Sequence, residues 1–197
     1  MHFKQGPASR LRRKKRKQCL GGVGLVCLFL SLGVFTWLFF PPEGTPVSSD
    51  AVVVLAGSAD GRHQLGAQMV DQGDAENFVV SNPRKELDKV GTAHCRGVSR
   101  PETATGVWCL EPDPVTTTGE AMAVGELAEK EDWSNITVLT HRPHTRRVQA
   151  IFNKCTNLEV VVVPLERIIW TRILYQTSRE IAGFAKFWIT NPCRDLP

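Results

Sequence analysis

The sequence predicts an α/β fold: a parallel sheet of about five strands with helices on both faces, preceded by one transmembrane helix. Three observations support this prediction. Residues 18–42 carry no charged side chain, five short apolar runs follow them, and helical patterns separate most of these runs. Strands that alternate with helices are typical of βαβ units, whose strands pair in parallel and are buried on both faces.

Residues 19–40 form the predicted transmembrane helix. About 20 apolar residues cross a bilayer core as a helix, and Trp37 and the Pro41-Pro42 pair mark its outer end. Residues 1–17 carry eight Lys or Arg and no acid, a pattern that holds a terminus in the cytoplasm. The sequence thus predicts a single-pass protein of the cell membrane with four regions: cytoplasmic tail 1–17, anchor 18–42, linker 43–49 and extracytoplasmic domain 50–197.

A cleaved signal peptide is the alternative to this anchor. The apolar region of a signal peptide has about 7–15 residues and precedes a small-residue cleavage site. The run in this chain is longer and ends in Trp-Leu-Phe-Phe-Pro-Pro. The sequence therefore favours an uncleaved anchor.

The formal net charge of +4 belongs to the tail, because residues 18–197 carry 16 basic and 20 acidic side chains. A basic tail beside a membrane helix is explained by topology and by anionic lipid headgroups. The sequence therefore predicts a membrane as a partner and no nucleic acid.

Four cysteines, Cys95, Cys109, Cys155 and Cys193, lie in the predicted outer domain. An even number on the oxidising side of a membrane favours disulfides. Pairing the first with the second closes a short loop, and pairing the third with the fourth holds the C-terminal tail. Three pairings are open, as are four buried free thiols. The spacing is not that of a zinc ribbon.

The order of strands and helices follows from hydrophobic patterning. The first run, Asp-Ala-Val-Val-Val-Leu, is continuous, as in strands buried on both faces. Five such runs are the predicted strands: 50–55, 78–80, 106–110, 136–139 and 158–163. Stretches with a one-sided apolar stripe are the predicted helices: 62–72 (Leu65, Met69, Val70), 118–130 (Met122, Leu127, Ala128), 145–154 (Val148, Ile151, Phe152) and 167–189 (Ile169, Ile173, Ile181, Phe184, Trp188). No element is predicted over the polar stretch 85–95.

Ligand sites of such folds lie outside the carboxyl ends of the strands. Polar and conformationally special residues follow four of the predicted strands at that edge, and the opposite edge has no comparable set. The candidate ligand-binding residues are Gly57, Ser58, Arg62, Ser81, Glu111, Thr117, Thr118, Thr140, His141 and Arg147, and the candidate catalytic residues are Glu120 and His144.

The turn at Gly57-Ser58 has two interpretations. Between a strand and a helix it is suited to binding a phosphate, since free N–H groups at a helix N-terminus attract anions, and Arg62 lies on the first helical turn. Neither GxGxxG nor GKS/T is present, however. A tight turn that requires glycine is the alternative.

The segment Thr117-Thr118-Gly119-Glu120 has the spacing of a capping box, in which Thr117 and Glu120 cap the helix. The pattern favours that interpretation. The functional alternative gives the Thr118 hydroxyl contacts with an anion and makes Glu120 a base or an orienting group.

The segment 141–147 combines two histidines with three arginines. A general acid or base beside charge-neutralising arginines suits phosphoryl or pyrophosphoryl chemistry. His141 and His144 have the spacing to share a metal, but neither HExxH nor a third ligand accompanies them, so no metal is predicted. The sequence indicates no particular cofactor.

The order of these motifs resembles that of the YdcF/SanA/ElyC family, a bacterial domain of unknown function, from about residue 50 to 164. The residues that carry the resemblance are Ala56-Gly57, Arg62, Glu111, Thr118-Gly119-Glu120, His144 and Arg147, with a weaker match at Arg179-Glu180. The resemblance implies a Rossmann-like domain with a role in cell-envelope biogenesis, of peptidoglycan or a lipid carrier, or in envelope integrity. The reaction of this family is not settled, so the resemblance implies no reaction for this chain.

Two departures from the family pattern lie at the expected ligand edge. Ser81-Asn82-Pro83 stands where Ser-Gly-Gly is frequent, and Ala121 stands where Asn is usual. They put the family's ligand preference and activity in doubt.

The expected function is to bind a phosphate-bearing envelope precursor or a nucleotide-like anion, with Glu120 and His144 as an acid/base pair if the protein is an enzyme. The alternative is a non-catalytic module that docks an envelope protein through the last helix.

Overall fold

The computed structural model describes residues 7–42, 48–57 and 59–194. Ser58 and most of the predicted linker 43–49 lie outside these ranges. The chain divides into two compact units, Met1–Trp37 and Leu38–Pro197.

The N-terminal helix α1 (Pro7–Phe39) contains the predicted transmembrane segment. Its part Leu20–Phe39 has a mean hydropathy of 2.2 and is long and apolar enough to cross a membrane. The helix ends two residues before Pro41, as the sequence predicts for a segment that proline stops.

The outer domain is built on five parallel strands: β1 (Ser49–Val54), β2 (Ala75–Ser81), β3 (Gly106–Leu110), β4 (Asn135–His141) and β5 (Glu159–Leu165). Their order in the sheet is β3-β2-β1-β4-β5. The central strand β1 pairs with β2 on one side and β4 on the other, so that Val53 lies between Val79 and Val138. This arrangement confirms the predicted Rossmann-like α/β fold.

Helices cover both faces of the sheet, as predicted. They are α2 (Arg62–Asp71), α3 (Lys89–Cys95), α4 (Thr117–Glu131), α5 (Thr145–Cys155) and α6 (Ile173–Thr190). Side chains of β1 alternate between two cores: Val53 packs with residues of α4, α5 and α6, whereas Val54 packs with residues of α2. The continuous apolar run of β1 is thus explained by burial on both faces.

Three details differ from the prediction. Residues 85–95 contain a 3₁₀ turn and α3, whose N-terminus is capped by the Asp88 carboxylate accepting from the amides of Val90 and Gly91 at 3.0 Å. Helix α3 was not predicted because it has one short polar face and little apolar periodicity. Met122 is only half-buried, and Val124 takes the inward position instead.

The predicted stripe of the last helix is also wrong in part. Helix α6 begins at Ile173, after a 3₁₀ turn at Trp170–Arg172. Ile181 and Trp188 are 52% and 68% exposed, whereas Glu180 and Phe187 are buried. The helix therefore turns an apolar face toward solvent. The prediction was wrong here because hydrophobicity alone does not show which face of a helix is buried.

Two disulfides join the cysteines in the first of the three open pairings. Cys95–Cys109 links the end of α3 to β3, and Cys155–Cys193 links the end of α5 to the segment after α6. Disulfides persist in oxidising compartments, which is in line with a domain outside the cytoplasm.

Replacing both Cys155 and Cys193 by serine is expected to lower the free energy of unfolding by about 4 kcal/mol, because the cross-link closes the longer loop. The matched Cys95→Ser, Cys109→Ser variant loses about 3 kcal/mol by the same chain-entropy argument. The sequence separations are 38 and 14 residues. Urea unfolding of the full-length chain in mild detergent measures the loss of stability in both variants. Equal stability of either variant and the parent under non-reducing conditions would contradict the pairing.

Candidate functional site

The candidate site lies at the carboxyl ends of β1 and β4, which are neighbours at the centre of the sheet. The chain leaves β1 toward β2 and β3 on one side and later returns to β4 on the other. The crossovers therefore diverge between β1 and β4, and this divergence opens the crevice in which doubly wound folds bind ligands.

Arg62 is held beneath the loop that follows β1. Its guanidinium forms an ion pair with Asp60, with Nε donating to Oδ1 at 2.9 Å, and Nη1 donates to the carbonyls of Leu55 and Ala56 at 3.2 Å. A Cβ at Gly57 would lie 2.8 Å from Nη1. Gly57 is thus needed for the close packing of Arg62, and a phosphate turn is not required to explain it.

Asp60 is a site residue that the sequence analysis missed. Burial opposes its ionisation, but the hydrogen bonds and the charge of Arg62 hold its pKa below the usual value. Asp60 is therefore ionised at neutral pH, and the buried positive charge of Arg62 has its counter-charge within the loop that follows β1.

Glu120 does not cap α4, and the predicted capping box is wrong. Thr116 is the N-cap, and its hydroxyl accepts from the amide of Gly119 at 3.1 Å. Because the helix is capped one residue earlier than expected, Glu120 points inward. Its Oε1 accepts from the Ala56 amide at 2.9 Å and from the Ser81 hydroxyl at 2.7 Å.

The carboxyl of Glu120 therefore joins the ends of β1 and β2 to α4. Burial raises its pKa, and the hydrogen bonds from Ala56 and Ser81 offset this shift only in part. Glu120 holds a proton at a higher pH than an exposed glutamate does, which suits a proton donor.

The second cluster is a hydrogen-bonded chain of Thr117, His144 and Glu180. The Thr117 hydroxyl lies 3.3 Å from Nε2 of His144, and Nδ1 of His144 lies 3.0 Å from Oε2 of Glu180. Glu180 accepts two further bonds from Arg147, at 2.7 Å from Nε and 3.1 Å from Nη2. A carboxylate at Nδ1 favours the tautomer whose Nε2 is free to act as a base.

The ionisation states of this cluster follow from burial and pairing. Burial lowers the pKa of His144, although Glu180 opposes the shift. Burial disfavours the charge of Glu180, but bonding to His144 and Arg147 lowers its pKa to about 2. At neutral pH the chain consists of a neutral imidazole between a hydroxyl and a carboxylate.

Glu180 was not among the predicted site residues, although one signal pointed to it. It is the single acid of α6, and it is 1% exposed. Gly183, one turn further on, gives Arg147 room, since a Cβ there would lie 2.6 Å from Nε of Arg147. A buried charge implies a partner, but the sequence does not say which.

Further polar atoms line the region between the two clusters. His141 stacks on His144 with ring centroids 5.3 Å apart, and burial, followed by the nearby His144, lowers the pKa of His141 to about 3. The buried hydroxyls of Thr140 and Thr145 have no hydrogen-bond partner among the residues that the structure describes. Such unpaired hydroxyls are costly unless a water or a ligand satisfies them.

A narrow cavity opens beside this region. It is lined by Asp60, His141, Pro143, Leu165, Arg167, Ile168, Ile169 and Gln176. A larger groove, of about 300 Å³, lies between the ends of α4 and α5 at the opposite edge of the sheet and contains none of the predicted site residues.

The structure brings most predicted residues together at one edge: Gly57, Arg62, Ser81, Thr117, Glu120, Thr140, His141, His144 and Arg147. Glu111 follows β3 at the same edge but takes no part in these clusters, since it forms an exposed ion pair with Lys85 at 3.1 Å. Thr118 is half-buried beside Thr117, and Ser58 lies outside the described residues. Within residues 20–42, 48–57 and 59–194, no three potential metal ligands converge.

The chain matches no protein-family model, no curated protein and no solved structure. Its candidate site is therefore defined by geometry: a buried Arg62–Asp60 pair, the inward carboxyl of Glu120, and the Thr117–His144–Glu180 chain.

Glu180→Gln is expected to lower the free energy of unfolding by about 3–5 kcal/mol, because it leaves the Arg147 side chain, which is only 11% exposed, without its counter-charge. Glu111→Gln is the matched control. It removes a carboxylate from a pair whose side chains are 52% and 63% exposed, and exposed pairs contribute about 0–1 kcal/mol. Urea unfolding measures both variants, and similar losses would show that burial of the Glu180 pair has no special energetic role.

Acidification is expected to destabilise the domain between pH 6.5 and about 4. Burial, followed by the adjacent His94, lowers the pKa of His63 to about 4. The folded chain therefore excludes protons that the unfolded chain binds in this range, and stability falls as the pH falls. His63→Phe keeps a ring against His94, 3.9 Å away, and should reduce the pH dependence of the melting temperature. The remaining dependence arises from His141 and His144, whose pKa values burial also lowers. The raised pKa of Glu120 acts in the opposite sense above pH 4.5, so the comparison with the parent isolates His63. If the melting temperature of the variant depends on pH as that of the parent does, the assignment of this dependence to His63 is wrong.

Proposed function

We propose that this chain is a membrane-anchored envelope protein, similar to the YdcF/SanA/ElyC family, that binds a phosphate-bearing ligand at the carboxyl edge of its sheet. The ligand class is a phosphorylated envelope precursor of peptidoglycan or lipid-carrier metabolism, or a nucleotide-like anion. One observation carries the proposal: the Thr117–His144–Glu180 chain stands beside the buried Arg62 and the partly buried Arg147 at the point where the crossovers diverge.

The charges of the site support an anionic ligand. The two arginines supply positive charge in a buried setting, where charge-assisted bonds to phosphate are strong. Both are already paired, Arg62 with Asp60 and Arg147 with Glu180. A phosphate would therefore bind by sharing or displacing these carboxylates. The unpaired hydroxyls of Thr140 and Thr145 offer donors without such competition.

The protonation states support a transfer reaction if the protein is an enzyme. His144, neutral and oriented by Glu180, would act as a general base toward Thr117 or a water molecule beside it. Glu120, whose pKa burial raises, would return a proton to the leaving group. Hydrolysis or transfer of a phosphate ester or pyrophosphate needs such a pair, together with positive charge to stabilise the transferred group.

The envelope location rests on separate observations. The basic tail and the apolar part of α1 favour an anchor with its N-terminus in the cytoplasm, and the two disulfides favour an oxidising compartment for the domain. Together they support an extracytoplasmic site of action.

A non-catalytic module that docks an envelope protein is the second candidate function. The observation in its favour is the exposed apolar face of α6, which includes Trp188 at 68% exposure. Exposed tryptophans are frequent binding anchors. This candidate predicts that substitutions at the sheet edge leave function intact and that substitutions on α6 do not.

The test is a thermal-shift series on the full-length chain in mild detergent, with inorganic phosphate, pyrophosphate, nucleotides and short-chain polyprenyl phosphates as probes. A ligand of the native state at about 100 times its Kd stabilises it by about 2.7 kcal/mol and raises the melting temperature. The shift is expected to vanish in the Arg62→Ala, His144→Ala variant and to persist in Arg96→Ala. Arg96 belongs to an exposed pair with Glu86, so it is the matched control.

Release of phosphate from the probe that binds is the second readout. Removal of a general base costs roughly 10²–10⁴-fold in rate, so His144→Ala is expected to lose that much while Arg96→Ala keeps the parent rate. A shift that survives in the double variant would place the ligand elsewhere. No shift with any probe would favour the docking module.

A further inference from the structure

The outward face of α6 is apolar over its whole length. Successive helical residues turn by about 100°, so one continuous face contains Leu174, Tyr175, Ser178, Ile181, Ala182, Ala185, Trp188 and Ile189, and none of these side chains is charged. Leu174 and Ile189 are 88% and 83% exposed. Trp170, in the turn before the helix, is also exposed.

The inward face of α6 is occupied by the domain itself. Glu180 binds His144 and Arg147, and Phe187 belongs to the core formed with α4 and α5. A helix on the surface of a soluble domain normally has a polar outer face. Contiguous exposed apolar surface of this kind marks a site that contacts a membrane or another protein.

The charge of this C-terminal segment differs in sign from that of the chain before it. Residues 167–194 carry five basic side chains and one acid, the buried Glu180, whereas residues 18–166 carry 11 basic and 18 acidic side chains. Arg172, Arg179 and Lys186 are exposed along α6 or at its start. The apolar face is therefore flanked by positive charge on a domain that is otherwise acidic.

We propose that the apolar face of α6 lies on the anionic lipid surface of the membrane that holds α1. Helices that lie in a bilayer interface combine an apolar face with flanking Lys and Arg. Trp and Tyr prefer the headgroup level, and this face has Tyr175 and Trp188. The proposal requires that α1 is inserted in a membrane, and it is independent of any ligand at the carboxyl edge of the sheet.

The covalent structure keeps the domain near lipid. From Pro42 to Ser49 the chain spans seven residues, and a chain of that length reaches at most about 25 Å in any conformation. The domain therefore stays at the surface throughout, and even weak interfacial contacts act at a high effective concentration.

Charge favours lipid over a second copy of the chain. A twofold pair through α6 would bring together two segments that each carry five basic side chains and one buried acid. Like charges across such an interface oppose association, whereas each Lys or Arg near an anionic leaflet is attracted to it.

The first test compares one fluorescent label at two leucines of equal exposure. Leu174 is 88% exposed on the α6 face, and Leu87 is 89% exposed in the turn before α3. Full-length Leu174→Cys and Leu87→Cys variants, each with Cys19→Ala and Cys27→Ala, are labelled with a polarity-sensitive dye. They are reconstituted in vesicles of phosphatidylcholine and phosphatidylglycerol that contain a spin-labelled lipid. We expect emission at shorter wavelength and strong quenching at position 174 alone. Equal quenching at both positions would overturn the proposal.

The second test separates lipid from protein occupants. The same labelled chains are placed in nanodiscs at one chain per disc, which excludes a second copy and any other protein. We expect the short-wavelength emission at position 174 to persist. Its loss in single-chain discs would assign the face to a second copy and overturn the proposal.

The third test examines the charges. Arg179→Glu with Lys186→Glu is expected to reduce quenching at position 174 in phosphatidylglycerol vesicles. Lys89→Glu with Lys130→Glu, which changes the net charge equally at exposed positions away from α6, is expected to leave quenching unchanged. Equal reductions in both variants, or none in either, would contradict the electrostatic part of the proposal.

Discussion

The buried carboxylate of Glu180 is the interaction on which the candidate site depends. It binds Arg147 on α5 and His144 in the turn between β4 and α5, and it comes from α6. A charge with 1% exposure would be costly alone. It is tolerated because two cationic or donor partners surround it. The orientation of His144 toward Thr117 thus requires that α6 be docked, and the N-terminal half of the domain cannot complete this cluster.

The two faces of α6 have different roles because of this contact. A helix held on its domain by an ion pair and Phe187 needs few other apolar residues on its inner face. Most of its hydrophobic residues are therefore available outside, where they form the proposed lipid contact. The same helix would link the state of the site to the surface on which the domain rests.

Much of the fold could be predicted from the sequence, because β-branched runs and helical stripes report burial directly. All five strands were found, the α5 helix was placed within one residue, and the disulfide partners were among the pairings considered. The edge of the sheet was also predicted, since parallel strands direct their carboxyl ends to one side. The predictions were wrong where a different residue made the expected interaction. Thr116, and not Thr117, caps α4, and Glu120 therefore bonds to the Ala56 amide inside the domain. The pairing of His144 with Glu180, 36 residues later, depends on tertiary packing that local patterns do not encode. Asp60 lies only two residues before Arg62, but no motif marked it as the partner.

The point of attachment of the anchor has a mechanical consequence. The chain enters the domain at Ser49, the first residue of β1, which is the central strand and has hydrogen-bonded neighbours on both sides. Tension applied through the anchor therefore reaches the sheet at β1. This strand can leave the sheet only when its ladders to both β2 and β4 are broken, whereas an edge strand would leave after the loss of one ladder. The topology thus protects the domain against force that enters through the anchor.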